Sequence, residues 1–186
     1  MKKFFIIMLV LFPVMLSAQG RHHFEAGAGY ASPGELFFQT PLKETGAVNL
    51  YGEYRFDLTD NFAVGARYSF VTPHKSGEDL TSDEKVRNTT NYHTLNAIVE
   101  YKTGAYGPMR LFVGIGGGAQ LRYVYSPQSV QKREQWYPSA DIYAHAGLEF
   151  FNHLRLTVGH SHDLHYPFSQ LSTGAPFYHF SIGWSF

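Results

Sequence analysis

Acyl transfer is the chemistry that three side chains near the C-terminus could perform: Ser161, Asp163 and His179. A serine nucleophile needs a histidine as its base and an acid that orients the histidine. We interpret residues 161, 163 and 179 as lying on the last two strands, where they could face one another. An esterase is therefore one hypothesis, and its test is geometry that a sequence does not supply.

Two further motifs have a chemical and a structural interpretation. "GHSHDLHY" (residues 159–166) places His160 and His162 on one face of a strand, where they could bind a metal. We favour polar residues at a membrane interface. "GIGGGA" (residues 114–119) fits a dinucleotide fingerprint, which needs a following helix. The next residues, "QLRYVY", alternate as a strand, so we favour glycines that leave room for large neighbours. No metal or cofactor is predicted.

The composition narrows the class of protein. Basic and acidic residues balance at 15 each, so no surface for nucleic acid is indicated. The chain has no cysteine, which excludes disulfides, thiol catalysis and a lipoprotein anchor. Aromatic residues make up 17% of the chain and 18 residues are glycine, which favours β-structure over helix.

The first 18 residues have the three-part form of a secretory signal peptide. Lys2 and Lys3 precede an apolar run, and Ser17 and Ala18 supply the small residues of a cleavage site. The run is too short to span a membrane comfortably as a helix. We therefore predict a signal peptide over residues 1–18 and a single exported domain over 19–186.

Eight segments of the mature chain alternate with a period of two, which predicts eight strands. Short turns and long polar connections, such as 33–46 and 73–91, follow one another in alternation. This rhythm is typical of an eight-stranded antiparallel up-and-down transmembrane β-barrel with both termini in the periplasm. The predicted strands are 22–32, 47–58, 62–72, 92–103, 109–126, 136–150, 154–166 and 176–186.

The two faces of these strands differ in charge. One face has no charged residue, and aromatic residues at both of its ends bracket small aliphatic ones, as the two interfaces of a bilayer select. The other face would line the interior of the barrel, where buried charges must be paired. We predict a salt-bridged plug rather than an open pore. The charged network of this plug is predicted to comprise Glu25, Glu53, Arg55, Arg67, Glu100, Arg110, Arg122, Asp141, Glu149 and Arg155.

The chain ends in "FYHFSIGWSF" (residues 177–186), whose alternate residues are aromatic or aliphatic. With this strand, the mature chain resembles the small eight-stranded outer-membrane barrels, such as the transmembrane domain of outer membrane protein A and outer membrane protein X. The resemblance implies the bacterial outer membrane, with its lipid and lipopolysaccharide as neighbours. It also implies that Phe186 and Trp184 form a recognition signal for the barrel assembly machinery.

The function is expected to depend on the loops. Leu36, Phe37 and Phe38 form an apolar cluster in a polar connection, where they could contact a partner, cover the mouth of the barrel or extend a strand. The leading hypothesis is a non-enzymatic structural, adhesive or accessory protein. The alternatives are an esterase that modifies lipid A in the outer leaflet and a narrow channel for small solutes. The histidine-x-serine pattern of the lipid A deacylases is absent at residues 160–161.

Overall fold

The computed structural model describes residues 21–33, 47–72, 74–78, 85–126, 133–164 and 177–186. The predicted signal peptide (1–18) and the apolar cluster of Leu36, Phe37 and Phe38 lie outside the described residues. No helix in the described ranges is long and apolar enough to cross a membrane.

The described chain folds into one antiparallel sheet that closes on itself. The strand order is β3-β2-β1-β9-β8-β7-β6-β5-β4, and pairing of β3 with β5 completes the barrel. The predicted fold, a closed eight-stranded barrel, is confirmed, with β4 as a short extension. The strands are β1 (His22–Pro33), β2 (Ala47–Asp57), β3 (Phe62–Thr72), β4 (His74–Glu78), β5 (Lys85–Lys102), β6 (Met109–Ser126), β7 (Arg133–Phe150), β8 (Leu154–Leu164) and β9 (Phe177–Ser185).

The prediction that residues 73–91 form a loop is wrong in part. β4 pairs with the beginning of β5, and β5 starts at Lys85 instead of residue 92. The pairs Val71↔Tyr92 and His74↔Thr89 keep one register, so β4 continues the β3–β5 hairpin. Backbone pairing alone makes such an extension, so it does not require the apolar alternation that predicted the other strands.

One end of the barrel has short turns, which we call the turn side; the opposite end is the loop side. Phe151 and Asn152 both have positive φ angles, of 55° and 61°, and connect β7 to β8. Two such residues form the turn whose twist matches that of paired strands. On the turn between β2 and β3, the Thr59 hydroxyl accepts hydrogen bonds from the Asn61 and Phe62 amides.

The stagger of the strands follows from the register. Asp163 is the starting point of a path that follows the paired residues once around the barrel. The path ends at His153, whose carbonyl accepts a hydrogen bond from the Ser185 amide; His153 is the residue before β8 and lies ten residues from Asp163. Such a stagger tilts the strands, and an eight-stranded barrel then has an interior that side chains fill. The path runs through Asp141, Gly118, Asn96, Arg67, Glu53, Glu25 and Ser185.

Alternation along the strands separates the two faces. In β9, for example, buried and exposed residues alternate without exception from Phe177 to Ser185. Most outward side chains are apolar, and Ile115, Val99 and Trp184 are among those at least half exposed. The buried side chains are largely polar or charged. The barrel is therefore inverted relative to a water-soluble one, with its polar core in the lumen and an apolar belt outside.

Candidate functional site

The lumen is the place where the strands concentrate charged side chains, and its turn-side half holds a dense ion-pair network. Arg155 lies at the start of β8 and contacts carboxylates from four other positions. Its Nη2 is 2.6 Å from Glu100 Oε2, and its Nη1 is 2.9 Å from Glu25 Oε2 and 3.3 Å from Glu53 Oε1. Its Nε lies 3.5 Å from Glu149 Oε2. One guanidinium thus joins strands β1, β2, β5, β7 and β8 across the lumen.

Arg55 reaches the same four carboxylates from β2. The distances are 3.0 Å to Glu25, 3.2 Å to Glu53, 3.1 Å to Glu100 and 3.9 Å to Glu149. Each of the first three carboxylates therefore contacts both arginines. Charges so deeply buried are tolerated because each has opposite charges and hydrogen bonds around it.

Arg67 extends the network toward the loop side. Its Nη1 lies 2.9 Å from Glu53 Oε2, and its guanidinium stacks 3.7 Å from the ring centre of Tyr51. The Tyr51 hydroxyl donates to Glu25 Oε1 at 2.5 Å. Face-on contact with an aromatic ring stabilises a cation, so the tyrosine links a guanidinium and a carboxylate of the network.

Four side chains outside the predicted set of ten also form ion pairs. His145 Nε2 lies 3.0 Å from Glu100 Oε2. At the turn side, Asp57 Oδ1 accepts from Lys102 Nζ at 2.6 Å, and Asp57 Oδ2 lies 3.0 Å from His23 Nε2. Asp57 follows Glu53 and Arg55 at the same two-residue spacing along β2. Extending the predicted inward face by one more such residue would have included it.

Three residues of the predicted network lie apart from it. Arg110 and Arg122 are half-buried near opposite ends of β6, and within the described ranges neither forms an ion pair. Arg122 packs 4.9 Å from the ring centre of Tyr137. Asp141 is held by neutral groups instead: Asn96 Nδ2 donates to it at 2.7 Å and Ser161 Oγ at 2.6 Å.

The predicted acyl-transfer residues all point into the lumen and are buried. The Ser161 hydroxyl donates to Asp141, while His179 Nδ1 lies 3.2 Å from Asn49 Nδ2. Ser161 is paired with Phe177 in the sheet, and His179 is paired with Gly159. The hydrogen bonds of the described residues thus join the serine and the histidine to different partners, away from the lipid.

Three glycines of "GIGGGA", Gly114, Gly116 and Gly118, face lumen side chains, in agreement with the structural interpretation. A Cβ at Gly114 would meet the His145 ring, 2.6 Å from Nε2. A Cβ at Gly118 would meet the Leu95 carbonyl and lie 2.7 Å from Asn96 Oδ1. Gly118 is paired with both Asn96 and Asp141, so the missing side chain lets the asparagine reach across to the aspartate.

The loop-side half of the lumen is divided. Toward strands β1, β2, β3, β5 and β9 it is filled by an apolar cluster in which the rings of Tyr92 and Phe177 meet edge to face, with centres 4.8 Å apart. This apolar cluster consists of Ala31, Ala47, Val71, Tyr92 and Phe177. Toward β5, β6, β7 and β8 the side chains are polar, with Asp141, Asp163 and Gln120 among them.

Aromatic and histidine side chains line the outer surface at both ends of the barrel. On the loop side, His160 lies 4.9 Å from the ring centre of Tyr178 and 6.2 Å from that of His162. On the turn side, His153 stacks on Trp184 at 5.4 Å. Amphipathic rings of this kind are typical of the two membrane interfaces. Among the described residues, no group of three or more His, Asp or Glu side chains could hold a metal ion.

Solved structures share this fold. Neisserial surface protein A superposes with a TM-score of 0.63 at 10% identity, over 88% of this chain and 95% of that one. OprG from Pseudomonas aeruginosa gives a TM-score of 0.60 at 12% identity, over 90% and 96%. The N-terminal barrel domain of Pseudomonas aeruginosa OprF gives 0.54 at 18% identity, over 90% and 100%. The sequence matches no protein-family model and no curated protein.

The fold, its apolar belt and these likenesses define a class of protein. The chain has the fold of the small eight-stranded outer-membrane β-barrels. This fold and its apolar belt agree with the predicted location, the outer membrane of a Gram-negative bacterium. At such low identities the likeness extends to the fold alone.

Proposed function

We propose that the protein is a non-enzymatic barrel with a plugged lumen that acts through its loop-side connections as a structural, adhesive or accessory partner. The observation that carries this proposal is the network around Arg55 and Arg155. It links carboxylates from β1, β2, β5 and β7 across the lumen, with the guanidinium side chains at most 2% exposed. A path for solute would have to break several charge-assisted hydrogen bonds at once.

Conductance in planar lipid bilayers tests the plug. The protein purified from membranes is expected to show no large, steady channel. The Arg155→Ala variant, which shortens one side chain of the network, is expected to show more frequent brief openings. A reproducible open state of the unaltered protein would overturn the plug and would favour the narrow channel.

The long connections are the natural contact surface, because the strands face lipid outside and one another inside. Connections 34–46, 79–84, 127–132 and 165–176 join strand ends at the loop side. The test of this surface is to purify the barrel from native membranes and to identify the proteins that accompany it. The comparison is between the unaltered chain and a variant in which a short glycine-serine linker replaces residues 35–45. Loss of a specific partner supports a role of Leu36, Phe37 and Phe38. Identical recovery would count against this connection.

Both termini are expected in the periplasm under this proposal, and Phe186 with Trp184 is expected to serve as the assembly signal. These two side chains face outward, and the Phe186 amide donates to the Phe24 carbonyl at 2.7 Å. Replacement of Phe186 by serine should lower the amount of barrel in the outer membrane while the purified variant still folds in detergent.

A further inference from the structure

We propose that the loop-side lumen holds a calcium site built from oxygen atoms on four neighbouring strands. The site comprises Asn96 on β5, Gln120 on β6, Ser139 and Asp141 on β7, and Asp163 on β8. It is independent of the proposed role of the loops, and it uses residues that the ion-pair network leaves aside.

The register brings these side chains together. Asp141 and Asp163 are directly opposite each other on β7 and β8. Gln120 and Ser139 form a direct pair on β6 and β7. All of them point into the lumen, and opposite residues on one face of a sheet have Cβ atoms roughly 5 Å apart. Asn96 is held at the same place by its 2.7 Å hydrogen bond to Asp141.

Within the described ranges, no ion pair neutralises the charge of this cluster. Asp141 and Asp163 face each other, and there neither carboxylate forms an ion pair with a basic side chain. Asp141 receives only the neutral donors Asn96 and Ser161. Like charges directly opposite each other on a sheet are destabilising, and buried charge calls for a counter-charge. The four carboxylates around Arg155 show that this chain elsewhere supplies one.

Four oxygen atoms of the cluster are buried and have no hydrogen-bond partner among the described residues. They are Asn96 Oδ1, Gln120 Oε1, Ser139 Oγ and Asp163 Oδ1. Asn96 and Gln120 are only 3% and 2% exposed, so bulk water does not satisfy them. The Asn96 amide is anchored beside Asp141 by its nitrogen, which leaves its oxygen at the cluster. Buried acceptors of this kind call for a donor or a cation.

The chemistry of these ligands favours calcium. All of the atoms are oxygens, from carboxylates, amides and a hydroxyl, and calcium accepts six to eight such ligands in flexible geometry. Magnesium demands a stricter octahedron and keeps its water, while zinc prefers nitrogen and sulfur. The neighbouring His160 and His162 lie on the opposite, outward face of β8, so their rings are not ligands of this site. Ser139 is only half-buried and Asp163 is next to the last described residue of β8, so the cluster is near the loop side.

Calcium binding is measured on protein extracted from membranes in detergent and freed of divalent ions with a chelator. Equilibrium dialysis with radioactive calcium gives the affinity, and thermal unfolding with and without calcium gives an independent readout. The unaltered protein is expected to bind calcium and to unfold at a higher temperature with it. Asp163→Asn, which keeps the shape and removes one charge, is expected to weaken binding roughly tenfold or more. Magnesium at the same concentration should bind more weakly.

Two further variants make the result specific. Asp60→Asn removes a carboxylate from the exposed turn between β2 and β3 and should leave calcium binding unchanged. Gln120→Met keeps the volume, removes one oxygen and should weaken binding several-fold, so the test does not rest on Asp163→Asn alone. Absence of calcium binding by the unaltered protein would show that water alone satisfies these oxygens and would overturn the site. Equal binding by both lumen variants would assign the calcium to other carboxylates and would also overturn it.

Discussion

The buried carboxylates in the two halves of the lumen have different kinds of partners. On the turn side, Glu25, Glu53 and Glu100 each contact both Arg55 and Arg155. On the loop side, Asp141 is hydrogen-bonded by neutral donors and faces a second carboxylate, Asp163. The first arrangement is closed, because its charges satisfy one another. The second is open, since it leaves charge and acceptor atoms to be satisfied by something else.

A buried charged residue in a narrow barrel can therefore have either of two roles. In a closed network, removal of one member leaves its partners buried without a counter-charge, which destabilises the fold. An open cluster contributes little stability by itself and is suited to binding. The same residue types therefore have different roles, and the partners within reach decide which.

The largest effect is expected for Arg155→Met, which breaks the closed half. Methionine keeps much of the length but leaves four carboxylates with one guanidinium fewer, so the free energy of unfolding should fall by about 3–5 kcal/mol. Urea unfolding in lipid vesicles, followed by the fluorescence of Trp136 and Trp184, measures it. Arg110→Met is the matched control, because Arg110 is only half-buried and outside the network. Equal losses in both variants would show that the network is not what stabilises the turn side.

The sequence predicts the faces of this barrel better than the contacts inside it. Alternation with a period of two predicts that Glu100 and Arg155 both point inward, because the other face of each strand must meet lipid. It does not tell how high each residue sits in the lumen. That height depends on the ten-residue stagger, which is set when β1 and β9 pair and the barrel closes. Alternation therefore predicts Arg122 and Arg55 in one network, although the closed barrel separates them along its axis.

The β4 extension and the acyl-transfer hypothesis illustrate the same limit. Apolar residues do not alternate over residues 85–91, so the pattern that predicts lipid-facing strands does not predict a strand there. The strand forms by backbone pairing with β4. Ser161 and His179 do lie on the last two strands and do point inward. The partner of Ser161, Asp141, lies on the adjacent hairpin strand β7. The partner of His179, Asn49, lies on β2, which only the pairing of β1 with β9 in the closed barrel brings within reach.

A smaller effect is expected where the backbone makes room for the open half. Gly118→Ala would place a methyl group against the Leu95 carbonyl and the Asn96 side chain, so the free energy of unfolding should fall by about 1–3 kcal/mol. Gly117→Ala is the control, since its Cβ would point outward and meet its nearest atom, the Asp141 carbonyl oxygen, at 3.4 Å. Urea unfolding of both variants measures the difference. No difference between these neighbours would mean that the lumen can shift to accept the methyl group.

The smallest and most telling comparison replaces one carboxylate by its amide in each half. Glu25→Gln removes the charge that Arg55, Arg155 and Tyr51 contact, so the free energy of unfolding should fall by about 1–3 kcal/mol. Asp163→Asn in chelator should instead leave the free energy of unfolding unchanged or raise it by up to about 1 kcal/mol, because it removes repulsion from Asp141. Opposite signs for the same chemical change would separate the closed half from the open half. Destabilisation of Asp163→Asn without calcium would show that the protein itself already compensates this carboxylate, and the distinction between the two halves would fail.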